Sequence, residues 1–346
     1  NITNVTLKNG KADSGGAIDF ENDISNSNLN ATYINNTAEW DGGANYFYMG
    51  VLGSNVSGTY INNTAEQNGG ANYFWNSVSG SNIAGTYTNN TAEYGGANYF
   101  DDKVSGSNVG GIYINNTASN AVIHFEDYFN RGLDANITNA IFLNNNCTYE
   151  IYARIPSDIR VKDSWFGNNA SNYMNKPNIN DNVTVDNWLF LNATVNPSSL
   201  LILDSSKVTF KLYSTDGIKV SDFDNSKLPV VNLTLTAING EVSNSTVLDK
   251  SVEYMPTKGG QGSVTASVED AEYTIFLDNN KRDVNLSVAV DPPVIDYGEN
   301  AAVIFEYNVT ATGTVNITLK GKKHNQTIEN VALNKTVTLP DTILPD

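Results

Sequence analysis

The sequence predicts an all-β chain, a right-handed parallel β-helix solenoid followed by immunoglobulin-like β-sandwich modules, and three observations carry that prediction. Tyr33, Tyr60, Tyr87 and Tyr113 recur at spacings of 27, 27 and 26 residues, and Asn35, Asn62, Asn89 and Asn115 keep the same beat two places later. A fixed period of this size marks a solenoid or related array. Within each unit apolar and polar residues alternate over short runs that break at Gly-Gly and Asn-Asn, the pattern of short strands and not of helices. Beyond Pro197 the beat gives way to "KVTFKLYS", "LPVVNLTLTAIN", "GSVTASVE" and "AEYTIFL", strands at sandwich-like spacing.

The solenoid is expected over residues 1–196, in about eight coils. After the longer units a second set keeps a period of 24, seen in Ile137, Val161 and Val185, in Phe142, Phe166 and Phe190, and in Asn144, Asn168 and Asn192. In a parallel β-helix equivalent residues stack about 4.8 Å apart, so the repeats read as columns. Leu29, Val56, Ile83 and Val109 form one inward column, Ala31, Gly58, Gly85 and Gly111 a small-residue column, and the tyrosines a third. Phe20, Phe47, Phe74, Phe100 and Phe125 form a column on another strand. Two places before them stand Ile18, Asn45, Asn72, Asn98 and Ile123, which alternation puts on the same inward face. The three amides read as a buried ladder, each bonding the next coil's amide. The first asparagine of each "NNTA", as at Asn62 and Asn89, is expected at a turn and facing inward. The Gly-Gly pairs read as turn glycines.

Residues 197–291 are expected to form one complete immunoglobulin-like sandwich, with Tyr273 ahead of an alternating strand as a tyrosine corner. After Pro292-Pro293 a second such module, 292–346, is short by its last strands, since a full module takes about 100 residues. The expectation is that the chain is an excerpt, or that another copy donates the missing strand.

With 20 basic and 37 acidic residues the net charge is −17, which repels polyanions, so nucleic acid and anionic lipid are poor partners. Cys147 is the only cysteine, which excludes an intrachain disulfide. No apolar run reaches the roughly 20 residues of a membrane span. The chain opens on Asn1 without a signal segment, and reads as a mature or excised extracellular piece. It carries 20 Asn-X-Ser/Thr sequons, of which Asn30, Asn55, Asn136, Asn169, Asn232, Asn285, Asn308 and Asn316 are the candidates for glycosylation.

His124 and His324 are the only histidines, and no serine stands in a nucleophile elbow. No phosphate loop, paired-histidine motif or helix-loop-helix calcium loop occurs, so no catalytic residue, metal ligand or cofactor is assigned. Asp13, Glu39, Glu66 and Glu93 form an acidic column that is expected to splay into water. The candidate binding surface is an aromatic strip, Tyr46, Tyr73 and Tyr99 with Tyr48 and Trp75 two places on, ending in Asp19 and His124. Such a strip suits stacking on sugar rings or docking a protein, or serves only to stabilise adjacent strands.

The "YINNTA…GGAN" units followed by sandwich modules resemble the adhesin-like surface proteins of methanogenic archaea, and the repeat is also similar to that of chlamydial polymorphic outer membrane proteins. The resemblance implies a large secreted cell-surface protein and defines no catalytic or contact residues. The expected function is therefore a non-enzymatic extracellular adhesin that attaches to a surface glycan or protein of another cell. A self-associating wall, sheath or filament subunit is the alternative, and a polysaccharide lyase or glycosidase rests on fold analogy alone.

Overall fold

The computed structural model describes residues 1–281, 286–291, 301–307, 314–320, 325–332 and 337–339. The chain forms two compact units, Asn1–Asn280 and Lys281–Asp346.

The first unit begins as a β-solenoid of about seven turns. Each early turn contributes a long strand (Asn28–Ile34, Asn55–Ile61, Asn82–Thr88), a two-residue strand or bridge at "TA", and a three-residue strand at "NYF". Like strands pair in parallel across turns, Leu29 with Val56, Ile83 with Val109, and Phe47 with Phe74. The expected columns are present: Tyr33, Tyr60, Tyr87, Tyr113, Phe142 and Phe166 stack at 4.7 to 4.8 Å, as do Phe20, Phe47, Phe74, Phe100 and Phe125. These rings, with the branched aliphatics between them, fill one core running the length of the solenoid. The shorter beat also holds, since Ile137 pairs with Val161 and Val161 with Val185.

Each Gly-Gly pair does two jobs. Gly42, Gly69 and Gly95 have φ of 66°, 68° and 63°, which an L side chain rarely adopts. Gly43 and Gly70 lie so close to the next turn that an added Cβ would sit 2.2 Å from the carbonyl oxygens of Gly70 and Gly96.

The Asn45, Asn72, Asn98 ladder lies inside as expected, with Nδ2 of Asn45 donating to Oδ1 of Asn72 and Nδ2 of Asn72 to Oδ1 of Asn98, both at 2.9 Å. At one end Asn98 donates to the Tyr113 hydroxyl at 3.3 Å; at the Ile18 end Asn45 Oδ1 is left unpaired.

The "NNTA" asparagines require a correction, because the second of each pair faces inward and not the first. Asn35, Asn62, Asn89 and Asn115 have φ of 53° to 56°. Asparagine tolerates that left-handed conformation better than most residues. One left-handed residue breaks strand alternation, which leaves Asn62 exposed and turns Asn63 into the core. Asn36, Asn63, Asn90, Asn116 and Asn145 thus form a second amide ladder. It ends where Asn145 Nδ2 donates to Glu150 Oε2 at 3.0 Å, and burial pushes that carboxyl up to about 8.

The eighth expected coil does not close. Its strand Trp188–Asn196 pairs antiparallel with Ser206–Thr215, which ends the parallel stack. Residues 197–280 then form two mainly antiparallel layers: Ser206–Thr215 with Ser251–Pro256, and a five-stranded sheet that includes Asn232–Ile238, Gly260–Val268 and Ala271–Asn280, with Ser199–Leu201 added in parallel at its edge. Their common core includes Ile141, Leu143, Trp165 and Leu189 from the outer side of the last turns, so solenoid and following layers pack within one compact unit.

Tyr273 stands near the start of Ala271–Asn280 and pairs with Ala266 inside a hairpin. The tyrosine that ties elements of both layers together is Tyr254, whose hydroxyl donates to Ile238 O at 3.2 Å and accepts from Asn279 Nδ2 at 2.8 Å. Strand Leu286–Asp291 pairs with Ala301–Tyr307 within the second unit. In that unit Ala301–Tyr307 also pairs with Val337–Leu339, and Thr314–Lys320 pairs with Asn325–Ala332.

Candidate functional site

The outward face of the six-stranded "NYF" sheet gathers the most varied side chains of the solenoid. Its register aligns Asp19, Tyr46, Tyr73, Tyr99, His124 and Tyr152 in one column. Two residues further along each turn, the same repeat yields Glu21, Tyr48, Trp75, Asp101, Glu126 and Arg154. Asp41, Asn68 and Tyr94 bridge along a third line, before the Gly-Gly pairs.

The expected aromatic strip is narrower than its sequence suggests. Tyr73 and Tyr99 are only 2% and 7% exposed, and Tyr46 is half-buried, whereas Tyr48 and Trp75 are each 46% exposed. The cause is the stacking itself. Tyr46 lies on Tyr73 at 5.1 Å and Tyr73 on Tyr99 at 5.3 Å, with planes within 17°, so each ring covers its neighbour's face. Trp75 adds cover, 6.2 Å from Tyr73. Exposed contact area is thus mainly that of Tyr48 and Trp75, and Tyr46, Tyr73 and Tyr99 form a supporting stack whose one open face is that of Tyr46 at its end.

Burial pushes the Tyr46, Tyr73 and Tyr99 hydroxyls well above the ordinary phenol range, and nearby acids reinforce it. Burial also raises the Asp101 carboxyl to about 6, with Glu126, Asp41 and Asp102 adding to the effect and a hydrogen bond from Tyr73 opposing it. His124 lies between Tyr99 at 4.7 Å and Tyr152 at 4.8 Å, with the edge of Tyr94 against it. Its Nε2 is 2.9 Å from Glu126 Oε2, and Glu126 Oε1 is 2.8 Å from Arg154 Nε. Burial lowers the His124 pKa against the opposing pull of Glu126. Asp101, Glu126 and Arg154 were not among the sequence candidates. The signal that finds them is the repeat register extended two places past each outward ring.

The other expected positions are distributed over the surface. Asp13, Glu39, Glu66 and Glu93 are exposed. Asn30, Asn136, Asn232 and Asn316 are exposed, and Asn55 and Asn169 are half-buried. Asn55 Nδ2 donates to Asn28 Oδ1 at 2.8 Å and Ser57 Oγ at 3.2 Å, and Asn169 Nδ2 to Glu272 O at 2.6 Å. Asn285 and Asn308 lie outside the described residues. Burial pushes the Cys147 thiol up to about 12, with Glu150 adding to it. Among the described residues no cluster of three or more His, Cys, Asp or Glu side chains is placed to hold a metal, and no helix is long and apolar enough to cross a membrane.

No family model, curated protein or solved structure matches the chain. The first unit is therefore defined by its own geometry, as a β-solenoid whose last strand pairs into antiparallel layers and whose outward sheet face is acidic and aromatic.

Proposed function

We propose that the chain is a non-enzymatic extracellular adhesin of the cell surface, a glycoprotein that displays a right-handed parallel β-helix on immunoglobulin-like modules and attaches to a glycan or protein of another cell. The observation that carries this reading is the pair Tyr48 and Trp75, held half-exposed and 6.4 Å apart on a stack that cannot collapse beneath them. Rigid aromatic groups give large contact area at low entropic cost. Carboxylates at both ends of the column, Glu21 on one side and Asp101 and Glu126 on the other, supply hydrogen-bond acceptors beside the rings. The archaeal resemblance rests on the repeat residues alone.

One observation favours a second reading, cleavage of a polysaccharide. Burial raises the Asp101 carboxyl to about 6, into the range where a carboxyl can serve as a proton donor, one of the roles a glycoside-cleaving site requires. A glycan array and a cell-binding assay on the isolated chain, run beside incubation with neutral and uronic-acid polysaccharides, separate the two. Binding without new reducing or unsaturated ends supports the adhesin. Release of such ends that is lost in Asp101→Asn overturns it.

A further inference from the structure

The aromatic columns stop one rung short of the first turn. That turn carries Asp19 and Glu21 at the two positions where the next carries Tyr46 and Tyr48. Tyr46 stacks on Tyr73 and Tyr48 on Trp75, so the opposite face of each ring borders a depression lined by Asp19, Glu21, Tyr46 and Tyr48. A ring at position 19 or 21 would continue the stacks and fill it; the short carboxylates leave it open.

The lining chemistry selects the occupant. Aromatic faces attract cations through their quadrupole, and a planar guanidinium both stacks on such faces and donates hydrogen bonds in its own plane. Two carboxylates stand where those N–H groups would point, and among the described residues no ion pair reaches either one. The Asp19 carboxyl is raised by burial first and then by Glu21, as expected for two acids without a cation. A neutral sugar could donate hydroxyl hydrogen bonds to the two carboxylates but would draw nothing from their charge.

We propose that this notch binds a guanidinium group, inserted as the missing rung with its face on Tyr46 and Tyr48 and its N–H groups donating to Asp19 and Glu21. The proposal deepens the binding reading of the same sheet face and rests on it. The source is either an arginine side chain in a protein segment or a small guanidinium compound.

The test is NMR titration of the intact chain at fixed ionic strength with N-acetyl-arginine-amide, its neutral citrulline counterpart, a Gly-Arg-Gly peptide and methyl glycosides. The expected result is saturable shifts of Tyr46 and Tyr48 signals with the arginine probe, at least about fivefold weaker binding of the citrulline probe, and loss of binding in Asp19→Asn/Glu21→Gln. Glu21→Tyr extends the stack into the notch and is expected to abolish binding while leaving the melting temperature unchanged or higher. Tighter binding of the peptide assigns the source to a protein segment and equal binding to a small cation; both support the notch. Equal binding of arginine and citrulline probes, a preference for glycosides, or binding undiminished in the folded variants overturns it. If the notch fails while the chain still attaches to cells, only this inference falls; if attachment fails too, the binding reading falls with it.

Discussion

One oxygen of Asn63 accepts two hydrogen bonds from Asn36, from its backbone N at 3.1 Å and its Nδ2 at 3.0 Å. Asn63 repeats the pattern, donating its own N and Nδ2 to Asn90 Oδ1 at 3.0 Å and Nδ2 to Tyr33 O at 3.1 Å. Asparagine alone offers an acceptor and two donors of this size and neutrality, which is why each turn spends two in succession, one for the left-handed bend and one for the ladder. Asn63→Ala strands donors and acceptors on the two adjoining turns, at Asn36 and Tyr33 and at Asn90, and is expected to cost about 2–4 kcal/mol, read by urea unfolding. Asn62→Gly keeps the bend and is expected to change stability by no more than about 0.5 kcal/mol. A larger loss from Asn62→Gly than from Asn63→Ala would mean the pair is inside out.

The middle ladder makes the opposite kind of prediction. Asn72→Ile alone leaves Asn98 Oδ1 without its partner and Asn45 Nδ2 with only a long bond to the Tyr60 hydroxyl at 3.5 Å. Replacing Asn45, Asn72 and Asn98 all by Ile continues the apolar rungs Ile18 and Ile123. Removing one partner costs the desolvation of the other, about 1–3 kcal/mol, whereas removing a whole network can be neutral. The triple variant is therefore expected to melt above the single one in calorimetry.

The fold was legible in the sequence where it repeats. Period, columns and the Asn45 ladder follow from residue spacing, because parallel stacking puts like on like. Three features were not legible, for separate reasons. The left-handed residue shifts alternation by one, so alternation alone points the first asparagine of each pair inward when it is the second that turns in. The last beat, through Phe190, looks like another coil until Ser206–Thr215 pairs with it antiparallel. The burial of Tyr73 and Tyr99 depends on ring orientation, which alternation does not specify. Position on an outward face was readable; accessibility was not.

Glu150 gives the unfolding transition a pH dependence. Its folded pKa of about 8 lies above the ordinary 4.5, so the folded state holds the proton more tightly than the unfolded chain. Its contribution to stability is fully present below about 4.5 and is lost as pH rises through about 8. Glu150→Gln keeps an acceptor for Asn145 without the charge, and is expected to flatten that decline and to be the more stable protein above pH 8 in melting scans. An unchanged slope between these limits would show that Glu150 is ionised in the fold.

Sequon occupancy should follow amide freedom. In a host that glycosylates, Asn30, Asn62 and Asn89, all exposed, are expected to carry glycan ahead of Asn55 and Asn169, whose Nδ2 atoms are already donating. Glycopeptide mapping reads the order directly. Preferential occupancy of Asn55 would contradict the surface amide ladder formed by Asn28, Asn55 and Asn82.

The most direct measurement of the functional claim is attachment of the Tyr48→Ala/Trp75→Ala variant to cells or glycans that bind the parent chain. Both side chains are half-exposed and stand outside the supporting stack of Tyr46, Tyr73 and Tyr99, so the variant is expected to fold with a near-parental circular dichroism spectrum. The account predicts at least a tenfold loss of attachment, about 1.4 kcal/mol or more for the two aromatic contacts together. Undiminished attachment by that folded variant would contradict it.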